Sequence, residues 1–383
     1  MNNQTYLPVN WIDGMKINKG HFNAIQNFTI DGLRDSIGVH TTMLNYGLLP
    51  SQVPIQIHLV IDSHKYLKVQ VGECHGITPN GSRIKINGID NTLDKSVSYP
   101  EIIKELKEGE ESVLLVCISV DLFNRISCGE PDPQENPPRD PFTESQYTLN
   151  LVSEEQIKNK IGIGSNYLII GKINISSKGP HIDESYIPAC VMVSSHHKLR
   201  ELYNEINRFY GQIELYAVQI EQKIQTKNQT NALAVMIVKM TDKILNYLGR
   251  EINAFRWLSL YVPPAQMLVS VVGFARVLKN FIDAHSGSGK EELLNYFADW
   301  CNISQSNFEA IFSEIINTEY DHNRIGLIVE KITRFMNTLE ELLSILNRLD
   351  YIGKKRDGSI FVAEVSDDKN TIQPQRSRTF LAD

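Results

Sequence analysis

The sequence predicts a multidomain α+β protein: an N-terminal antiparallel β-sandwich or barrel-like domain, followed by an elongated helical-bundle or coiled-coil domain. Three observations predict it. Short β-branched runs with period-two alternation fill the first half. After Pro188 the apolar spacing changes to steps of three and four, and two long heptad seams dominate the second half. The 383 residues suffice for two or three domains, and 42% hydrophobic content is normal for packed cores.

Six runs are read as strands: Ile55 to Ile61, Tyr66 to Gly72, Ser82 to Gly88, Ser112 to Leu122, Phe142 to Val152 and Asn166 to Ile175. Turn formers such as Thr78-Pro79-Asn80-Gly81 separate them, and most have no long helix between them to make a parallel crossover. Gly129 to Pro141 holds five prolines in thirteen residues, so it is a loop and not an interior strand.

In the helical half, Leu199, Leu202, Ile206, Phe209, Ile213, Tyr216 and Ile220 form one seam. Ile325, Ile328, Ile332, Phe335, Leu339, Leu342, Leu346 and Leu349 form a second, read as neck-helix packing. Two accounts stand: the helices pack on each other within one chain, or at least one seam lies on a symmetry axis. The first seam, with Ile at one core position and bulky Phe209 and Tyr216 at the other, is the candidate for oligomerisation and leans toward a trimer. Between the seams a break is expected at Gly249. Pro263-Pro264 fit the first turn of a further helix running to Phe281. The boundaries fall at 1–195, 196–350 and 351–383, the last a short charged tail.

Composition excludes several classes of function. With 45 acidic and 38 basic residues the net charge is −7, so no broad positive field attracts nucleic acid or anionic lipid. No basic and apolar leader opens the chain, and no stretch reads as a membrane span; the expectation is a cytoplasmic protein without direct membrane insertion. Five scattered cysteines without a C-x-x-C pair read as reduced thiols.

No catalytic pattern emerges. His285 to Glu292 contains Gly289-Lys290, but Ala284 and Glu291 stand where a phosphate-binding loop needs Gly and Ser or Thr. Gly162 and Gly164 lead into a strand, whereas the dinucleotide fingerprint opens a helix. His181 with Asp183 and Glu184, and His196-His197, are weak candidates for acid–base or metal chemistry; two adjacent helical histidines diverge by about 100°. No cofactor or metal is expected, and the pattern fits a structural protein, not an enzyme.

The stretch VNWIDGMKINKGHFNAIQNF, from Val9 to Phe28, is open to three readings: a ligand pocket, a terminal strand tucked into the β domain, or a contact surface. Val9, Trp11, Gly14, Met15, His21 and Phe22 resemble the N-terminal signature of the TssK family of type VI secretion baseplate subunits. Four further stretches are similar to family features in the same order: Gly76 to Gly81, Tyr186 to Cys190, Pro263 to Phe281 with Gly273, and Tyr320-Asp321-His322. The resemblance implies a homotrimer with a β shoulder, related in shape to phage receptor-binding proteins, and a helical neck. It implies TssF- and TssG-like partners, and contact with an inner-membrane secretion complex, directly or through another protein, at the cytoplasmic face of that membrane.

Trp11, Met15, His21 and Phe22 are then the partner-interface candidates. Lys19-Gly20 and Asn23 depart from the family's Pro-Gln and Gln around the His-Phe pair. After Leu349, 34 residues remain where family members usually carry a head domain, so a different route of membrane docking is expected. A phage-tail-like trimeric receptor-binding or attachment protein is the alternative.

Overall fold

The computed structural model describes residues 6–88, 92–99, 112–158, 166–176, 179–285, 288–301 and 304–353. The expected tail beyond 353 lies outside the described residues, as do the glycines at 162 and 164.

The β half contains two antiparallel sheets. In the first, β1 (Gly47–Leu48), β2 (Gln56–Ile61), β4 (Arg83–Asn87) and β5 (Leu93–Ser98) all pair with the twelve-residue β3 (Tyr66–Ile77). The second has the order β7 (Phe142–Ser153), β6 (Ser112–Cys128), β8 (Tyr167–Ser176), β9 (Gly179–Ile182), with α2 (Glu154–Lys158) after β7. Alternation decides which face is inside: Leu67, Val69 and Val71 of β3 and Ile84 and Ile86 of β4 are fully buried, in one core with Val116, Ile118, Leu168 and Ile170 of the other sheet. Burying each such side chain stabilises by about 1.5–3 kcal/mol. The sheets approach so closely that a Cβ on Gly76 would stand 2.7 Å from Leu168. Two strands run further than expected, β3 to Ile77 and β6 to Cys128, and the proline-rich segment joins β6 to β7 as a loop.

The helical half consists, among the described residues, of α3 (His197–Thr226), α4 (Ala232–Leu258), α5 (Pro264–Ala284), α6 (Ser288–Cys301), α7 (Gln305–Asn317) and α8 (Ile325–Arg348). Caps set the starts as the sequence chemistry requires: Asn231 and Ser304 accept from the backbone N–H groups of Ala234 and Asn307, and Pro264 occupies the first turn of α5. The break expected at Gly249 does not occur. A helical glycine costs only about 1 kcal/mol, and the burial of neighbouring Leu248 and Ile252 outweighs it, so α4 continues to Leu258 and a 3₁₀ turn at Ser259–Tyr261. One helix, α5, is long and apolar enough to cross a membrane by length and composition, contrary to the sequence expectation. In this fold Met267, Leu268, Val271 and Phe274 put it in the middle of the bundle core.

Both seams are buried, and the chain itself buries them. Leu199, Ile206 and Ile213 are completely inaccessible, Leu202, Phe209 and Ile220 nearly so, and Tyr216 half-buried, because α3 packs on α4 and α8. Phe209 meets Phe274 of α5 and Phe335 of α8 edge-on, at ring centroids 6.2 and 6.5 Å apart. The expected oligomerisation seam is therefore an internal face. A heptad pattern reports that a stripe is covered, and here sister helices cover it. The second seam packs the same core, with Ile325 to Leu346 buried and Leu349 at its edge. Lys223 of α3 donates to the carbonyls of Asn347 and Leu349, satisfying the end of α8 with a cation.

Candidate partner interface

The N-terminal signature folds into a turn and a helix. Gly14 takes φ +78°, and Met15 N–H donates to Ile12 at 3.1 Å. Helix α1 (Lys19–His40) then begins with a capping box: Asn18 Oδ1 accepts from Gly20 N–H at 2.8 Å, and Asn18 N–H donates to His21 Nδ1 at 3.2 Å. His21 thus closes the helix start, while its ring lies 5.9 Å from that of Trp11.

A bulge in β6 holds this helix. The register with β7 slips between Asp121 and Arg125, where the Asp121 carboxylate accepts from the backbone of Phe123 and Asn124. The bulge presents Phe123 and Arg125 to α1. Arg125 donates to Gln26 at 2.5 Å and to Asn27 at 2.6 Å; Tyr6 stacks on Phe123 at 4.0 Å, with the Arg34 guanidinium over the same ring. Arg34 also pairs with Asp31 at 2.7 Å. The Thr78-Pro79-Asn80-Gly81 turn supports the far end: Gly81, at φ +82°, comes so near the backbone of Arg34 and Gly38 that a side chain there would clash.

The result is a helix turned inside out. Its polar residues Asn27, Asp31 and Arg34 face its own β domain, whereas Phe22, Phe28, Leu33 and Val39 are between 44 and 80% exposed. No residue of α1 is buried. Trp11 and Phe22 are each at least half exposed, and Met15 and His21 are half-buried. A contiguous apolar face of this kind on a protein surface marks a contact site. A second exposed group, Trp257, Leu258 and Tyr261, stands at the end of α4.

Four of the stretches singled out in the sequence meet at the junction of the two halves. Leu48 N–H donates to Ala189 at 2.8 Å, and Val191 N–H to Leu48 at 3.0 Å, so the segment after Tyr186 runs alongside β1, whose residues pair in turn with Gly76 and Ile77. His322 closes the joint: Nε2–H donates to the Tyr46 carbonyl at 2.8 Å, and Nδ1 accepts from the Tyr320 hydroxyl at 2.7 Å. Burial lowers its pKa, and both bonds fix the neutral Nε2–H tautomer. Near Pro263, Val262 accepts from Val193 N–H at 3.0 Å.

The chemical candidates dissolve on inspection. His196 is the residue before α3 and not a helical one, so its ring lies beside that of His197, at 4.4 Å, instead of diverging from it. Burial, reinforced by the neighbouring His197, Lys198 and Arg200, lowers its pKa to about 4. Asp183 is held by Lys172 at 3.2 Å and by Ser185, away from any acid–base pairing with His181. Lys290 is bound by Asp283 at 2.8 Å and Glu309 at 3.0 Å, tying α5 to α7. Cys74, Cys117 and Cys190 are buried free thiols. Among the described residues no three His, Cys, Asp or Glu side chains converge as metal ligands.

What remains is a two-part scaffold with an outward apolar helix, a class of architecture built for assembly. No protein-family model and no curated protein matches the chain. Solved structures do. A crystal structure of TssK, 14% identical, superposes over 88% of this chain and 69% of its own with a TM-score of 0.51. TssK from the EAEC type VI secretion system in complex with nanobody nb18, 12% identical, covers 84% of this chain and 68% of its own at 0.51. A chain of the baseplate complex from the type VI secretion system, 12% identical, covers 88% and 99% at 0.54. The chain has the TssK fold.

Proposed function

We propose that this chain is a structural subunit of a type VI secretion baseplate, without catalytic activity. It acts as a homotrimeric adaptor between TssF- and TssG-like wedge subunits and the membrane side of a contractile machine, at the cytoplasmic face of the inner membrane. The outward apolar face of α1, on a scaffold with the TssK fold, carries this reading. The likeness to a chain of a type VI baseplate complex supports the same role.

Trp11, Met15 and Phe22 reach a partner subunit or a neighbouring copy together with Phe28, Leu33 and Val39, while His21 acts by capping the helix that presents them. Since the α3 seam is internal, the trimer uses other surfaces, of which Trp257, Leu258 and Tyr261 are the most apolar group at the neck.

Co-expression with TssF- and TssG-like subunits, followed by native mass determination, tests the proposal. The expected result is a complex holding three copies, or a multiple of three, with both wedge partners. A chain that purifies alone and monomeric beside those subunits, or that binds a glycan receptor instead, would overturn it.

A further inference from the structure

A cleft of about 1,090 Å³ separates the outer face of the second sheet from α3 and α8. It exceeds the range of small-molecule pockets, roughly 300–1,000 Å³, and runs along one side of both helices, a shape suited to a chain segment. One wall is apolar: Leu115 and Ile169, with Ile157 of α2 and Tyr186, belong to a small hydrophobic cluster separate from the main core, and Leu327 opposite is 53% exposed.

The other wall is acidic. Seven acidic and four basic residues line the cleft, and three of the bases are already paired within the chain: Lys172 with Asp183, Arg324 with Glu154 and Asp321, and Arg334 with Glu314. Glu201 and Glu205 on α3, and Glu330 and Glu341 on α8, take part in no ion pair among the described residues, and only Lys198 opposes them. Glu201 and Glu205, four apart, are a like-charge pair that by itself weakens a helix. Glu330 and Glu341, eleven apart, share one face of α8 at a separation of about 16 Å. An apolar wall opposite two rows of uncompensated carboxylates is complementary to a segment apolar on one side and basic on the other.

We propose that this cleft docks a basic amphipathic segment of a partner protein, a site separate from the α1 face and independent of the baseplate reading. The probe is a labelled helical peptide of about 18 residues, with Lys at spacings of four and eleven on one face and Leu on the other. Its control is a scrambled peptide of the same composition.

The expected result is saturable binding to the full chain that weakens about tenfold in the variant Glu201→Gln/Glu205→Gln/Glu330→Gln/Glu341→Gln, weakens with added salt, and weakens again with Leu327→Ser, all at unchanged Tm. Absence of saturable binding, or equal binding of the scrambled peptide, would overturn the proposal. So would self-association of the wild type in sedimentation that the Gln variant abolishes, since the occupant would then be a second copy.

Discussion

Helices α1 and α8 are both amphipathic, and they face opposite ways. On α8 the apolar stripe from Ile325 to Leu346 is inside, against α3, α5 and α7, and the charged residues are in water. On α1 the polar stripe is inside, hydrogen-bonded to the β6 bulge, and the phenylalanines are in water. Helix α8 is held by its own chain's hydrophobic effect, and α1 by hydrogen bonds, one ion pair and ring contacts. Substitutions on the apolar face of each should therefore separate folding from assembly.

The largest effect should come from Ile206→Asp, opposite α8 in the core. An unpaired carboxylate at a fully inaccessible position costs several kcal/mol, so thermal and denaturant unfolding should show a destabilised or unfolded monomer, where a seam on a symmetry axis would give a folded monomer released from an oligomer. Phe335→Ala, which empties the space where Phe209, Phe274 and Phe312 converge, should cost about 3–5 kcal/mol by denaturant titration.

Acid acts on the junction. His196 is buried neutral with a pKa near 4, against about 6.5 when unfolded, and His322 is lowered too. The unfolded chain binds more protons between these values, so stability is retained above pH 6.5 and falls as pH drops toward 4, by up to about 3 kcal/mol for His196. His196→Gln should flatten Tm against pH over that window. The smallest effect on stability should come from Phe22→Ser/Leu33→Ser on α1: within about 0.5 kcal/mol of wild type, with capture of wedge partners lost.

Much of the β half was legible, because period-two alternation between turn formers marks half-buried strands: all six predicted strands are present, two of them extended. Helix α1 was not. Its exposed apolar residues step from Phe22 to Phe28, Leu33 and Val39 by six, five and six, a spacing that answers to no core, and its start is set by Asn18 and His21 instead of a Ser or Thr cap. The seams were legible as buried stripes, but a stripe does not say what covers it, and Ile206 looks the same against a sister helix as against a second copy. The bulge at Asp121 left no signal in alternation, although it aims Arg125 at the partner-facing helix. His196 and His197 misled because helical geometry was applied to a residue just outside the helix.

The central claim, that the outward face of α1 is completed by another protein, is tested most directly by amide hydrogen exchange across residues 19–40 in the free chain and in the complex with wedge subunits. Hydrogen bonds to an exposed surface element open locally at low cost. The account predicts fast exchange in the free chain and strong protection on assembly, while α8 is protected in both. Unchanged exchange in α1 on complex formation would contradict it.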